Sequence, residues 1–442
     1  MKILHYSHDS LGLGHIRRTL AIVRRLAHDM PGIAQMVLTG SAQFGAFNWP
    51  ANVDCVKLPT IRKKENGEYH SPHSHGSLEA ISSLREGIIM NTISHFKQDI
   101  MLVDKAPAGL NGEMVRPLHY LKEKFPHTRV VLGMRDIEDA PEITCRDWER
   151  DGIYPLLKNT YDAILLYGAR EVFDPVLEYN LSPTIERKIY PCGYIFGADE
   201  SQPKSNHLRE KLGIDEERLV LVTAGGGSDG FQITKTYLEM LSNLSTPASF
   251  HSLIVAGPQM DVSEYQMLEK WAAEIDSPIT LKTFTPHLSS YLSIADLVVT
   301  MGGYNTVMEI MGYGRRSIIV PRVSPHREQL IRAERLVARN LVRMIYPDEL
   351  TPMRLLAEVE AGLEERSQTF PPSRALNMNG AEEASRALIG LLNNRFKAMD
   401  SAHLVSHQAA LANKDGFATD QLEQRKSSDS SFGPTTPEWM FS

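Results

Sequence analysis

The sequence lacks several features that would indicate other classes of protein. Its 442 residues contain only three cysteines, widely separated at Cys55, Cys145 and Cys192, so neither a disulfide framework nor a cysteine-based metal site is indicated. No apolar run approaches the roughly 18 residues that a membrane-spanning helix needs. The formal net charge is −7, so no overall positive field attracts nucleic acid. These absences favour a cytoplasmic protein that contacts membranes only peripherally.

The chain is long enough for two domains, and each half begins with the same pattern. In the first half an apolar strand at residues 2–6 is followed by a loop with Gly12 and Gly14 and a helix at 16–27. In the second half a strand at 219–225 precedes the loop GGGSDG and a helix at 231–244. Further strands alternate with helical patterns, which predicts two parallel α/β sheets, each Rossmann-like, facing a common cleft.

The predicted domain boundary lies near residue 197, where the composition shifts to glycine, polar and charged residues. We therefore predict an N-terminal domain at 1–196, a second domain at 197–380, a C-terminal helix at 381–399 and a flexible tail at 400–442. Residues 60–77 are predicted to form a mobile loop without regular structure. Its His70, His73 and His75 could chelate a metal, but the segment has no second strong ligand set.

The glycine loop of the second half allows more than one interpretation. Gly225, Gly227 and Gly230 have the G-x-G-x-x-G spacing of a dinucleotide site, but no acidic residue closes the next strand, and the first one is Asp261. The pattern therefore favours a diphosphate cradle over an NAD site. A tight strand-to-helix turn without a ligand is the alternative.

A second glycine turn follows the strand at 297–300. The backbone amides of Gly302, Gly303, Asn305 and Thr306 open a helix there and can donate to phosphate oxygens. Glu309 lies one turn further on, where its carboxylate could accept hydrogen bonds from both hydroxyls of a ribose. Thr306 and Glu309 also fit a helix capping box, which is an equally good explanation.

The segment FTPHLSSYLSIADLVVTMGGYNTVMEIMGYGRRSIIVPR and the following HREQLIRA resemble the donor-binding signature of GT-B glycosyltransferases of the family 28 type. That family includes the peptidoglycan N-acetylglucosaminyltransferase and the galactolipid synthases, and is more distantly similar to the UDP-glucuronosyltransferases. The N-terminal GLGH, which ends in Gly14 and His15, resembles the family's glycine loop. The resemblance covers about residues 1–395 and is weaker between 40 and 190. It implies a GT-B fold whose C-terminal helix crosses back to the first domain.

The resemblance also implies roles for individual residues. The backbone at Thr285 and Leu288 would face the base of a UDP-sugar, Glu309 would bind the ribose, and Gln329 would contact the sugar. The chain differs from the peptidoglycan enzyme in having Glu328 where that enzyme has a second glutamine, and SLGLGH where it has a TGG loop. The residues predicted to bind the donor are Gly14, Gly226, Gly227, Ser228, Thr285, Leu288, Gly302, Gly303, Asn305, Thr306, Glu309, Arg322, Glu328 and Gln329.

The sequence contains no Asp-x-Asp motif, so helix termini and basic side chains are predicted to neutralise the diphosphate without a metal. The cationic candidates are Arg17, Arg18, Arg322 and Arg327. His15 is the candidate general base, because a neutral imidazole can remove a hydroxyl proton. Asp104 ends a strand where related glycosyltransferases keep an aspartate that pairs with such a histidine. Asp136 and Glu138 are the competing carboxylates.

These observations predict an inverting, metal-independent glycosyltransferase without a cofactor. It would move a sugar from a nucleotide diphosphate, most simply UDP, to an acceptor hydroxyl that the sequence does not identify; lipid-linked and polysaccharide acceptors are the candidates. A nucleotide-sugar 2-epimerase of the same fold is the first alternative, and a non-catalytic nucleotide-sugar-binding protein is the second. An NAD oxidoreductase is the weakest, because the ribose-binding acid is missing.

Overall fold

A computed structural model describes residues 1–8, 14–41, 43–63, 69–70, 77–196, 205–215, 217–364 and 376–393. Residues Met1–Leu388 form one compact unit. A second unit, Ile389–Ser442, is described only to residue 393. Gly12, the predicted boundary near 197, His73, His75 and the predicted tail at 400–442 lie outside the described residues, so what was predicted for them stays untested.

The first half of the chain forms a seven-stranded sheet. Its strands are β1 (Lys2–Ser7), β2 (Ala34–Thr39), β3 (Val53–Lys57), β6 (Ile100–Asp104), β7 (Arg129–Arg135), β8 (Ala163–Tyr167) and β9 (Ile189–Pro191). They lie in the order β3-β2-β1-β6-β7-β8-β9, and every neighbouring pair is parallel. β6 and β8 are buried along their whole length, as expected for parallel strands covered on both faces.

Helices connect these strands, as the alternating pattern predicts. They are α1 (Gly14–Asp29), α2 (Leu78–Phe96), α3 (Val115–Lys124), α4 (Pro141–Arg150), α5 (Ile153–Asn159), α6 (Pro175–Glu178) and α7 (Pro183–Glu186). The prediction of a loop without regular structure at 60–77 is wrong in part. Two short strands, β4 (Arg62–Lys63) and β5 (Tyr69–His70), pair antiparallel there through backbone hydrogen bonds that need no periodic side-chain pattern.

The second half forms a six-stranded parallel sheet. Its strands are β10 (Arg218–Thr223), β11 (Phe250–Val255), β12 (Ile279–Lys282), β13 (Leu297–Thr300), β14 (Arg316–Ile319) and β15 (Arg343–Met344). They lie in the order β12-β11-β10-β13-β14-β15. The helices of this half are α8 (Ser205–Leu212), α9 (Phe231–Ser242), α10 (Val262–Glu274), α11 (Leu288–Ile294), α12 (Tyr304–Gly312), α13 (Glu328–Val337), α14 (Pro352–Glu364) and α15 (Gly380–Leu392). The prediction of two parallel α/β sheets is confirmed.

The last helix contacts the first half of the chain, as predicted for a helix that crosses back. On α15, the Ser385 hydroxyl donates to a carboxylate oxygen of Asp29 at 2.7 Å, and Glu383 accepts a hydrogen bond from the Tyr190 hydroxyl at 3.0 Å. Just before this helix, Asn379 forms a backbone bridge with Ile195. The helix therefore ties the end of the second half to the first sheet.

Each sheet has its own apolar core, and α13 joins them. The first core contains Leu4, Val103 and Leu166, and Ile331 of α13 packs against it from the second half. The apolar segment GIIMNTI on α2 is part of this core, since Ile89 and Ile93 are fully buried. Within the described ranges, no helix combines the length and the apolar character that crossing a bilayer requires.

Candidate active site

Two glycine loops lie side by side at the carboxyl edge of the second sheet. They follow β10 and β13, which are neighbours with Thr223 opposite Thr300. Gly302 adopts a φ of 88°, and a Cβ added there would lie 2.8 Å from Cγ2 of Ile319, so only glycine fits this turn. In the first loop, the Gly226 carbonyl accepts a hydrogen bond from the Gln259 amide at 2.9 Å, which fixes the loop against the end of β11.

A helix begins immediately after each of these loops. α9 starts after Gly230 and α12 after Gly303, and in the described chain neither first turn is capped by the side chain of its N-cap residue. The first amides of an α-helix have no partner within the helix, and the helix dipole favours an anion at this end. The loop with Gly226, Gly227 and Ser228, and the turn with Asn305 and Thr306, can therefore hold phosphate oxygens.

Glu309 lies in the second turn of α12, facing the first half of the chain. Its carboxylate is 3.7 Å from the Arg17 guanidinium on α1, and its side chain is 13% exposed. Burial raises the pKa of the Glu309 carboxyl, and the Arg17 charge and a hydrogen bond from Ser289 oppose that rise. The capping-box explanation is wrong, because the helix begins at Tyr304 with Gly303 as N-cap, which places Thr306 inside its first turn.

The segment predicted to face the base is adjacent to Glu309. Ser289, which bonds to Glu309, belongs to α11, and that helix begins at Leu288. Just before it, the Thr285 hydroxyl accepts a hydrogen bond from the His287 amide at 3.1 Å, and Thr285 is buried. The predicted base-binding backbone and the predicted ribose carboxylate are therefore brought together.

Arg322 connects the remaining donor-site residues. Its guanidinium donates to Glu328 at 2.9 Å and to Asp229 at 3.4 Å, and its backbone amide donates to the Gln329 side-chain oxygen at 3.1 Å. Burial raises the pKa of the Glu328 carboxyl, but nearby arginines, Arg322 first, outweigh that effect and hold it below its ordinary value. The second carboxylate oxygen of Glu328 is buried without a hydrogen-bond partner in the described structure.

His15 and Asp104 form a hydrogen-bonded pair at the facing edge of the first sheet. Nδ1 of His15 lies 2.8 Å from Oδ2 of Asp104, and Asp104 ends β6 next to the start of α1. Arg18 binds the same carboxylate through both Nε (2.9 Å) and Nη2 (2.7 Å). Nη2 of Arg18 also lies 3.0 Å from Nδ1 of His15. An ionised carboxylate can only accept a hydrogen bond, so the contact with Asp104 favours the tautomer with its proton on Nδ1 and its lone pair on Nε2.

The surroundings keep this imidazole neutral. Burial lowers the pKa of His15 from 6.5 to about 4, the Asp104 hydrogen bond opposes this, and the Arg18 charge adds to it. Burial alone would raise the pKa of Asp104, but the Arg18 charge and the His15 hydrogen bond hold it well below its usual range. The pair is therefore a neutral histidine on an ionised aspartate, which can accept one proton and stabilise the resulting imidazolium.

The starts of α1 and α12 touch each other. A Cβ added to Gly14 would lie 2.1 Å from Nδ2 of Asn305, so the Asn305 side chain packs directly against the backbone of Gly14. One turn further along, Arg17 pairs with Glu309. The structure thus brings the predicted base and the predicted phosphate-holding turn together from opposite halves of the chain.

The competing carboxylates differ in accessibility. Asp136 is fully buried and pairs with Arg332 of α13 at 3.2 Å, so it cannot meet an acceptor. Glu138 is partly exposed, 3.7 Å from Lys105, and one of its oxygens has no partner in the described structure. Of the cationic candidates, Arg18 is committed to Asp104 and is 1% exposed, so it cannot bind phosphate.

Sequence reasoning did not assign the positioning role of Arg18, and it missed the contacts of Tyr304, Asp139 and Arg332. Arg18 follows His15 by three positions on one helix, a spacing that indicates a shared face and could have revealed it. Asp139 accepts hydrogen bonds from the Arg327 amide at 2.7 Å and pairs with His326 at 2.7 Å, across the two halves. No local pattern marks such a long-range contact.

Residues 219–388 match the family model described as the glycosyltransferase family 28 C-terminal domain. The match covers most of the second half of the chain. This confirms the resemblance inferred from the glycine turn and the residues after it. The donor-site residues from Gly226 to Gln329 all lie within the matched range.

The family 28 domain also has curated relatives. The chain is 29% identical over 214 residues to an uncharacterized glycosyltransferase of Methanopyrus kandleri, covering 48% of this chain and 57% of that protein. It is 24% identical over 193 residues to the UDP-N-acetylglucosamine–N-acetylmuramyl-(pentapeptide) pyrophosphoryl-undecaprenol N-acetylglucosamine transferase of Acetivibrio thermocellus, covering 43% and 51%. The chain therefore spans just over half the length of these relatives.

Solved structures show the same fold. Acinetobacter baumannii MurG matches with a TM-score of 0.53 at 12% identity, covering 89% of this chain and 99% of that chain. The UDP-GlcNAc 2-epimerase from Neisseria meningitidis bound to UDP-GlcNAc matches with a TM-score of 0.57 at 13% identity, covering 89% and 100%. At these identities the likeness concerns the fold alone, and it confirms the predicted GT-B arrangement.

Proposed function

We propose that this protein is an inverting, metal-independent glycosyltransferase that moves a sugar from UDP to an acceptor hydroxyl. The observation that carries the proposal is the contact between Gly14 and Asn305. This contact supports the proposal because the hydrogen-bonded His15 and Asp104 come from the first half, whereas the start of α12, which would hold the phosphates, lies in the part of the chain that matches the family 28 model. A base and a leaving-group site that meet across a cleft are what transfer requires.

The donor would bind along the carboxyl edge of the second sheet. The free amides at the starts of α9 and α12 would take the diphosphate, with Arg322 as the nearest basic side chain of this half. Glu309 would accept hydrogen bonds from the ribose hydroxyls in place of its contact with Arg17. Glu328 and Gln329, at the start of α13, would contact the sugar. UDP is the nucleotide in the name of the Acetivibrio thermocellus relative.

The base would act from the first half. Nε2 of His15 would take the proton of the acceptor hydroxyl as the hydroxyl oxygen attacks the anomeric carbon. Asp104 would stabilise the imidazolium, and the helix termini would stabilise the departing diphosphate. A single displacement by an acceptor on the face opposite the leaving group inverts the anomeric centre.

The acceptor would enter from the first half, as a lipid-linked or polysaccharide hydroxyl, and any membrane contact would be peripheral. The apolar residues Ile89 and Ile93 cannot provide that contact, since both are buried in the core. We retain the proposed domains at 1–196 and 197–380, each contributing one sheet to the cleft.

A 2-epimerase acting on the nucleotide sugar alone is the second candidate. Glu138 and Glu328 favour it, because each has a buried carboxylate oxygen without a partner in the described structure, as needed for acid–base work on a sugar. The likeness to an epimerase supports only the fold, whereas the family 28 match supports transfer.

A ligand screen followed by an activity assay tests both candidates. UDP-, dTDP- and GDP-sugars are first compared for thermal stabilisation, because a ligand that binds the native state raises the apparent melting temperature. UDP release from the best donor is then measured with and without a panel of hydroxyl acceptors. We expect a UDP-sugar to stabilise the protein and UDP release to depend on acceptor. An epimerised donor in the absence of acceptor would favour the second candidate, and stabilisation by no nucleotide sugar would contradict both.

A further inference from the structure

Tyr304 belongs to the second half of the chain, but its side chain is buried against the first half. It is the first residue of α12, directly after the glycine turn, and only 3% of it is exposed. Its hydroxyl donates a hydrogen bond to the backbone oxygen of Tyr167 at 2.9 Å. Tyr167 is the last residue of β8, so the side chain reaches the carboxyl edge of the first sheet.

Three guanidinium groups surround the Tyr304 ring. The central carbons of Arg332, Arg18 and Arg135 lie 5.4, 5.6 and 6.0 Å from its centroid, within the range of a cation–π contact. Arg332 also pairs with Asp136 across the two halves, and both side chains are inaccessible. Desolvated contacts of this kind stabilise more than exposed ones, so the ring has a defined position.

The contact with Arg18 links Tyr304 to the base. Arg18 binds both carboxylate oxygens of Asp104, and Asp104 holds Nδ1 of His15. A displaced Tyr304 ring would leave the Arg18 guanidinium without its packing partner on that side. Tyr304 is therefore connected to His15 by one cation–π contact, to Arg18, and then by the hydrogen bonds of Asp104 with Arg18 and His15.

We propose that Tyr304 is a positioning residue that holds the His15–Asp104 base in register with the phosphate-holding start of α12. Tyr304 can do this because it is the first residue of α12 and its ring packs on Arg18, which orients the His15–Asp104 pair. The proposal rests on the proposed transferase function for its effect on turnover. The contacts of Tyr304 with the first half can be tested without measuring turnover.

Two variants and a control separate this role from general stability. Tyr304→Leu removes the ring and its cation–π contacts, and Tyr304→Phe keeps the ring but removes the hydroxyl that donates to the Tyr167 carbonyl. Tyr346→Phe is the matched control, since Tyr346 is 38% exposed and its hydroxyl donates to the exposed Glu334. We expect Tyr304→Leu to lower kcat about 10-fold or more, with the Kd for UDP within about 3-fold of wild type. Tyr304→Phe should recover most of kcat, and the control should match wild type.

Hydrogen exchange provides the readout that does not depend on catalysis. In folded Tyr304→Leu, the amides at residues 14–18 and 304–308 should exchange faster than in wild type, while those of β10 and β11 should not. If these amides exchange faster in Tyr304→Leu but the wild-type protein turns over no nucleotide sugar, the contact of Tyr304 with the first half would be supported and the proposed transferase function would be contradicted. Unchanged exchange, unchanged kcat, or equal losses of kcat and UDP affinity would overturn the role of Tyr304.

Discussion

The most informative single substitution is Asp104→Asn. The carboxylate lies 2.8 Å from Nδ1 of His15 and accepts hydrogen bonds from Arg18 at 2.9 and 2.7 Å. Asparagine has nearly the same shape, but it keeps one oxygen and replaces the other with an amide that can only donate. Either His15 or Arg18 then loses its acceptor. If the amide faces His15, the imidazole must present Nδ1 as acceptor and carry its proton on Nε2, where a base needs a lone pair.

The magnitude follows from burial and from the proton-transfer role. Arg18 is 1% exposed, and removing one partner of a buried ion pair costs about 3–5 kcal/mol of unfolding free energy. Because asparagine keeps one acceptor oxygen, we expect a loss near the lower end, about 3 kcal/mol. Loss of general-base catalysis should lower kcat about 10²- to 10⁴-fold. The Kd for UDP should change little, because the proposed donor contacts, apart from Gly14, lie in the second half.

The assay is UDP release as a function of pH, with urea unfolding and calorimetric UDP titration on the same preparations. The pKa of His15 is lowered to about 4, so wild-type kcat should stay level near neutral pH and fall only as the pH approaches that value. The kcat of Asp104→Asn should not show this decrease at acidic pH. A folded Asp104→Asn protein with wild-type kcat, or with UDP affinity lost as strongly as kcat, would refute the reasoning.

Three further outcomes are expected. Glu309→Ala should weaken UDP binding about 10-fold by titration calorimetry, because a hydrogen bond to a charged group contributes about 1.5–3 kcal/mol. The control Glu334→Ala, at an exposed position, should bind UDP as wild type does. Equal UDP affinity in Glu309→Ala and wild type would contradict the proposed contact of Glu309 with the ribose. Glu113→Ala should lower the free energy of unfolding by about 3–5 kcal/mol in urea, because its partner Arg85 is 0% exposed and would stay charged with only the Pro59 carbonyl in place of a carboxylate. A loss below about 1 kcal/mol would contradict this expectation. The low pKa of His15 should lower the free energy of unfolding by at most about 3 kcal/mol as the pH falls from 6.5 toward 4, because the unfolded chain binds a proton in this range that the folded chain does not. His15→Ala should remove this part of the pH dependence.

Much of the fold was predictable because its signals are local. β6 and β8 are continuous apolar runs, and helical spacing of apolar residues marks α1, so the parallel α/β arrangement followed from patterns within short windows. The helix predicted at 231–244 is observed as α9 at Phe231–Ser242. The β4–β5 pair was missed, because two-residue strands held by backbone hydrogen bonds carry no periodic signal.

The site was predictable only where a motif marked it. Resemblance to family 28 indicated the partners His15 and Asp104, which lie 2.8 Å apart in the structure. The pattern could not decide between a ribose carboxylate and a capping box at Glu309, because that choice depends on which residue begins the helix. The contact of Tyr304 with Tyr167 joins residues far apart in the chain, so it depends on how the two halves pack.

The account requires that donor binding and proton removal come from opposite halves of the chain. The most direct measurement compares wild type with His15→Ala in two experiments, UDP titration and transfer from the UDP-sugar to the acceptor found in the panel. We predict that His15→Ala binds UDP with wild-type affinity and transfers no measurable sugar. Transfer at the wild-type rate by the folded variant would contradict the account.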